Sequence, residues 1–471
     1  MSFDIFIDGK TQYAKEGGFD ALWVPDFLKD FQKSLVEWAT LNSRCGLFED
    51  CGLGKTVQQL VWAENVVRKT NGRVIILTPL SISEQTIEES EKFEVEAMRA
   101  RDGSLPASKI VVTNYEQLHK FDARDFVACV CDESSILKNV KGQIRGEVTA
   151  FMRKMSYRLL CTATASPNDY IELGTSSEAL GYLGHMDMLK QFFKTDTGEM
   201  ALGGAGGKAR GGSRSFGGKF RFKGHSQEEF WRWVCSWARA IRKPSDLGYS
   251  DDGYDLPELR ENLHIVKSET VADGMLFALP AVGLKEQREA RTRTIDERCE
   301  LAAEIIAKRG TTSVGWVHTN AESKLVTGMI PGAVELTGSE PDEAKEEKLK
   351  AFRRGEFKVM VTKPTLAGYG HNWQHCNHQT VFPSHSFEQY YQCVRRSWRF
   401  GQERPVDIDV VTTQADEAVL KNLQRKTKMA EEGFDRMVEL MADFMKLQRN
   451  DYNPTHKAKL PAWLQNEEAT V

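Results

Sequence analysis

Two stretches of this 471-residue chain alternate short runs of β-branched and apolar residues with amphipathic helical patterns, and few architectures accept that alternation. In the first stretch strands are expected at 74–78, 109–113, 126–131 and 158–161. In the second they are expected at 313–317, 358–362, 379–382 and 406–411, with helices between, such as 56–68 and 342–353. Runs that are apolar almost throughout belong to strands covered on both faces, and so to parallel sheets flanked by helices. The expected fold class is α/β: two lobes, each a mainly parallel sheet with helices on both faces, with an insertion between them. The chain is too long for one ordinary domain. The expected boundaries are 1–185 for the first lobe, 186–255 for the insertion, 256–414 for the second lobe and 415–471 for a helical tail with an irregular end at Asn453-Pro454.

The middle segment has a composition of its own. From Leu202 to Gly224 it is rich in Gly and Ser, carries Lys208, Arg210, Arg214, Lys219, Arg221 and Lys223, and has no acid. It reads as a flexible basic loop. An aromatic helix follows at 230–237, in which Trp233 and Trp237 lie one turn apart. Core packing or docking against a lobe accounts for Trp231, Trp233 and Trp237 better than base stacking does.

Bulk composition narrows the classes. Hydrophobic content of 41% and charged content of 28% are those of a soluble globular protein. A net charge of −4 gives no global basic field, so any nucleic-acid contact has to come from local patches. The nine cysteines are scattered and several sit in apolar runs, the pattern of a reducing compartment. No apolar run approaches the ~18–20 residues of a membrane span, and the acid-bearing N-terminus lacks a basic-plus-apolar signal. No membrane contact is expected. His371, His375, Cys376 and His378 match no common zinc-ligand spacing.

Chemistry concentrates in a few motifs. Gly52-Leu53-Gly54-Lys55-Thr56 follows the apolar run 45–48 and opens a helix, which is the end of a phosphate-binding loop. Backbone amides and the helix N-terminus can cradle phosphates, Lys55 can neutralise the β/γ charge, and the Thr56 hydroxyl can ligate Mg2+. The first glycine of the full GxxxxGK[ST] spacing is missing. Asp132-Glu133 closes the run 126–131. An acidic pair at the end of a buried strand is costly unless it meets a cation. Asp132 is expected to hold Mg2+, and Glu133 to polarise the attacking water.

Together these motifs resemble superfamily 2 helicases and translocases, most closely the Swi/Snf-type ATPases of the phage and bacterial helicases. Asp132-Glu-Ser-Ser135 is similar to the DEAD/DEAH box, with Ser135 in the last place. The resemblance implies RecA-like lobes and a base-reading role for Gln32 in Leu28-Lys-Asp-Phe-Gln32. It implies nucleic-acid backbone contacts near Thr78-Pro79 and Thr113-Asn-Tyr115, and coupling of hydrolysis to lobe movement through Thr162-Ala-Thr164. Gln392-Cys-Val-Arg-Arg396-Ser-Trp-Arg399-Phe-Gly-Gln402 has the QxxxRxxRxGQ spacing of the family's motif VI. On a helix, Gln392, Arg396 and Arg399 would share one face, which would point across the lobe interface at the γ-phosphate of the bound nucleotide. The resemblance implies that Arg399 and Arg396 act as arginine fingers. Residues 362–372 resemble motif V.

The function expected is an ATP-dependent nucleic-acid translocase or helicase that uses ATP and Mg2+. DNA is favoured over RNA by resemblance alone, and a bacterial or phage-infected cytoplasm by the same route. The alternatives are a nucleic-acid clamp with little turnover and a P-loop NTPase acting on a small molecule. The second does not explain a second α/β lobe ending in motif VI.

Overall fold

The computed structural model describes residues 17–139, 142–166, 170–196, 219–224, 226–266, 289, 291–368, 370–384, 386–413 and 417–449. In chain order the first lobe begins with helix α1 (Asp30–Asn42), strand β1 (Arg44–Glu49), α2 (Lys55–Thr70), β2 (Arg73–Thr78), α3 (Leu80–Lys92) and β3 (Ala97–Arg99). It continues through β4 (Ile110–Asn114), β5 (Phe126–Asp132) and β6 (Tyr157–Thr162). The middle segment adds a hairpin of β7 (Phe193–Asp196) and β8 (Lys219–Phe222), then α4 (Ser226–Trp237) and β9 (Ala238–Ile241). The second lobe holds β10 (Leu259–Val266), β11 (Ser313–Trp316), β12 (Val334–Glu335), α5 (Asp342–Arg353) and β13 (Val359–Thr362). It ends with β14 (His378–Val381), α6 (Phe387–Ser397), β15 (Val406–Thr413) and the long α7 (Glu417–Arg449).

Every pairing in the two large sheets is parallel. The first runs β3-β4-β2-β5-β6-β1-β9 and the second β10-β15-β14-β11-β13-β12. Their middle strands are buried on both faces, as near-continuous apolar runs require. The expected α/β class with two lobes holds.

The middle segment departs from a plain loop. Residues 197–218, which carry Lys208, Arg210 and Arg214, lie outside the described residues. Their downstream neighbours, however, form β8 in an antiparallel pair with β7. The cause is the alternation of Phe220 and Phe222 with basic residues, since both rings pack toward the first-lobe core. The Phe222 ring stacks on Phe193 at 4.5 Å. In α4, Phe230, Trp233 and Trp237 recur at helical spacing, are at most 1% exposed, and pack on Phe192 and on Phe48 of β1. The chain then runs straight into β9, which completes the first sheet beside β1. The tryptophans are core. Helix α7 touches both lobes: Leu420 packs against the second-lobe core, while Met437 and Met441 are buried in the first.

Candidate functional site: the cleft between the lobes

Three neighbouring strands, β5, β6 and β1, deliver the first lobe's motifs to one sheet edge, at their carboxyl ends. β1 leads into the glycine loop, β5 ends on Asp132, and β6 ends on Thr162. Gly52 and Gly54 adopt φ of +92° and +84°, a region closed to most side chains. A Cβ on Gly52 would also meet the Phe400 ring at 3.1 Å, and one on Gly54 would collide with the Gln32 amide. Glycine is required at both places by conformation and by space.

The loop opens α2, whose first residue is Lys55. The Lys55 ammonium donates to the carbonyls of Glu49 and Asp50 at 2.8 and 3.1 Å, across the mouth of the loop. One turn later on α2, Gln59 donates to Asp132 Oδ1 at 2.7 Å. Burial and the adjacent Glu133 hold the Asp132 carboxyl above the ordinary carboxylate range. Burial likewise pushes Glu49 up to about 7, against the pull of Lys55 and of its Gln58 hydrogen bond. Glu133 sits at φ +50°, a strained backbone for a residue with a Cβ, and accepts from Thr162 Oγ1 at 3.4 Å. Thr162 therefore touches the residue assigned to the attacking water.

The second lobe supplies the facing wall. A cavity of about 210 Å3 is lined from one side by Gly52, Gly54, Lys55, Thr56, Asp132 and Glu133, and from the other by Gly370, Asn372, Arg396 and Arg399. Arg396 is 1% exposed. Its guanidinium donates to the Gln392 carbonyl at 2.8 Å, to Gln392 Oε1 at 2.7 Å and to the His371 carbonyl at 3.2 Å. Gln392 thus positions Arg396 instead of lining the cleft. Arg399 donates to the same His371 carbonyl at 3.3 Å, and its buried Nε has no partner among the described residues. Burial, then Arg396, pulls the Arg399 guanidinium down to about 10.

Several expectations need correcting. Arg399 does not share the helix face of Gln392 and Arg396, because α6 ends at Ser397. It enters the cleft from the turn that follows, closed by Gly401 at φ +87°. Gln32 is 6% exposed and does not line the cavity; it donates to the Leu53 carbonyl at 2.7 Å and accepts from Lys29 N at 2.9 Å. Its polar groups brace the glycine loop from behind. Tyr115 points inward, its hydroxyl donating to the Asp132 carbonyl at 2.6 Å, and Thr78, Thr113 and Asn114 are buried.

Three residues in or behind the cleft carried no motif in the sequence. Gln59 reaches Asp132 because it stands four residues after Lys55. Gln85 and Glu89 line the cavity from α3 on the face of Ile82. Burial raises the Glu89 carboxyl, opposed by its Gln85 hydrogen bond, by Arg399 and by Thr56. The helical spacing of 82, 85 and 89 was the available signal.

A wall of glycine-loop amides, a lysine, a hydroxyl and two carboxylates, faced across the cleft by two arginines, can hold a polyphosphate with a divalent cation. The orphaned Arg399 Nε and the glycine cradle fit an anionic ligand. S. cerevisiae Dbp5 bound to RNA and ADP BeF3 matches with a TM-score of 0.53, over 88% of this chain and 98% of that one, at 11% identity. The two-lobed fold is therefore similar to that of Dbp5. The Sulfolobus solfataricus SWI2/SNF2 ATPase core in complex with dsDNA matches over 90% of this chain and 97% of that one, at 16% identity and a TM-score of 0.41. No protein-family model matches the sequence, and no curated protein does. The cleft lies between the two lobes, lined by residues of both. Among the described residues, no helix is long and apolar enough to cross a membrane.

Proposed function

We propose that the chain is the ATP-hydrolysing core of a nucleic-acid translocase or helicase, with the interlobe cleft as its active site. One observation carries the proposal: Lys55, Asp132 and Glu133 from one lobe line a single cavity with Arg396 and Arg399 from the other. The loop amides and Lys55 would hold the β- and γ-phosphates, while Thr56 and Asp132 would hold Mg2+. That cation supplies charge neutralisation of the phosphate oxygens when bound. Glu133 would orient water and take its proton, and Arg396 and Arg399 would meet charge that develops in the transition state. Catalysis that needs both lobes couples turnover to their closure, which is how hydrolysis becomes movement along a strand. Dbp5, whose fold the chain resembles, is bound to RNA, which supports nucleic acid as the partner. DNA is our choice on the Swi/Snf-type motif VI alone.

ATPase rates measured alone and with single-stranded DNA, duplex DNA and RNA test the proposal. Stimulation by DNA is the expected result. Lys55→Ala should abolish turnover, while Glu133→Gln should abolish it and keep ATP binding. Turnover that no nucleic acid changes would favour a small-molecule NTPase, and binding without turnover a clamp.

A further inference from the structure

Helix α6 presents two stripes about 100° apart. Glu388, Tyr391 and Arg395, spaced by three and four, form one stripe, and all three reach across to the first lobe. Glu388 pairs with Lys138, which lies just beyond the Glu133 turn. Tyr391 donates to Asp50 Oδ1 at 2.5 Å, and Arg395 pairs with the other oxygen of the same carboxylate. Gln392 and Arg396 form the neighbouring stripe, the one that serves the cleft. Because successive residues on a helix are rigidly offset, whatever fixes the first stripe sets the angle of the second.

Asp50 leaves no polar group idle. Its N–H donates to the Ile241 carbonyl of β9 at 3.0 Å, and its carbonyl accepts from Lys55 at 3.1 Å. Its Oδ1 also accepts from Cys51 N at 2.6 Å. Asp50 is 7% exposed and Arg395 3%, so water is a poor substitute partner for either charge. One residue thereby joins the base of the phosphate loop, its lysine, the edge strand and the helix of the opposite lobe.

We infer that Asp50 is a positioning residue for hydrolysis: through Arg395 and Tyr391 it docks α6 on the phosphate loop and fixes the rotation at which Arg396 enters the cleft. This rests on the ATPase reading above. Asp50 lines the cavities on the far side of α6 and does not line the 210 Å3 cleft, so its effect passes through Arg396.

The test is steady-state ATPase and binding of a fluorescent ATP analogue, with thermal melts, on wild type, Asp50→Asn, Arg396→Ala and the double variant. Asn keeps the shape and all the backbone bonds of Asp50. The expected result is a kcat about tenfold lower in Asp50→Asn, with ATP affinity changed by less than about threefold, since the lost contact acts only on transition-state charge. In the double variant the losses should not multiply, because both act through one guanidinium. If Asp50→Asn melts below the assay temperature, Tyr391→Phe replaces it, with a loss of about threefold in kcat and the same non-additivity with Arg396→Ala. A kcat within about twofold of wild type, or losses that multiply with Arg396→Ala, overturns the inference and leaves the ATPase reading standing. A wild type that does not hydrolyse ATP, measured against Lys55→Ala, overturns both.

Discussion

Asp132 stands at the end of β5 with Glu133 beside it and little water, and that crowding makes its charge conditional. Its carboxyl is held above the ordinary carboxylate range by burial and by Glu133. Only the ionised form can hold a cation, so a proton competes with Mg2+, and the competition sets in at a higher pH than the ~4 of an exposed aspartate. In the empty protein the sign is opposite for stability. The folded state holds this proton more tightly than the unfolded chain does, so the group's contribution is lost as pH rises through its folded value. The affinity of Mg2+ with a non-hydrolysable ATP analogue should therefore weaken about tenfold or more between pH 8 and 5 in wild type, and should be weak and nearly flat in Asp132→Asn. A flat wild-type profile would contradict the role given to Asp132. At this scale the sequence was legible where backbone and chemistry coincide. Lys55, Thr56, Asp132, Glu133 and Arg396 meet in one cavity. Gln32 and Arg399 were legible as residues but not in their placement, since spacing alone does not say where a helix ends or which way an amide points. Asp50 carried no signature, because its side-chain partners Tyr391 and Arg395 are remote in sequence.

Among the elements, strands apolar almost throughout and set off by turns stood out, as did strongly amphipathic helices, whatever their length. β2, β4, β5, β6, β13 and β14 fall within about two residues of expectation, as boundary reading allows. β9 was hidden because it follows α4 with no turn between them. β10 was hidden because it is the sheet's edge and alternates with polar residues such as Glu261 and Asn262. Helix α4 was visible, but its place was not: its stripe of rings finds the flank of β1 only in three dimensions. Because Trp233 is 1% exposed within that stripe, Trp233→Ala should cost about 3–5 kcal/mol in denaturant unfolding. A loss below about 1 kcal/mol would mean that α4 is a peripheral attachment.

Across the whole molecule, the lobes meet through more than the cleft. Arg99 and Arg101 of the first lobe pair with Glu346 of α5 at 2.9 and 3.0 Å, and Glu84 and Glu88 of α3 pair with Lys350 and Arg353 at 3.0 and 2.8 Å. Arg99–Glu346 is mostly buried, but the other pairs are partly exposed, and such pairs are each worth little and are screened by salt, which would suit a contact that breaks in the proposed cycle. The same cycle would carry nucleic acid past the middle segment. Neutralising Lys208, Arg210, Arg214, Lys219, Arg221 and Lys223 should weaken DNA binding for all sequences alike. It should also flatten the salt slope by up to about one unit per lost phosphate contact. An unchanged slope would assign binding to the lobe faces. The central claim, that one active site is shared by both lobes, is tested most directly by Arg399→Ala. With DNA present, kcat and ATP affinity should be measured together. The account predicts a kcat lower by about 10³-fold with ATP affinity nearly unchanged, the behaviour of a charge met only in the transition state. An ATP affinity that collapses while kcat survives would contradict it.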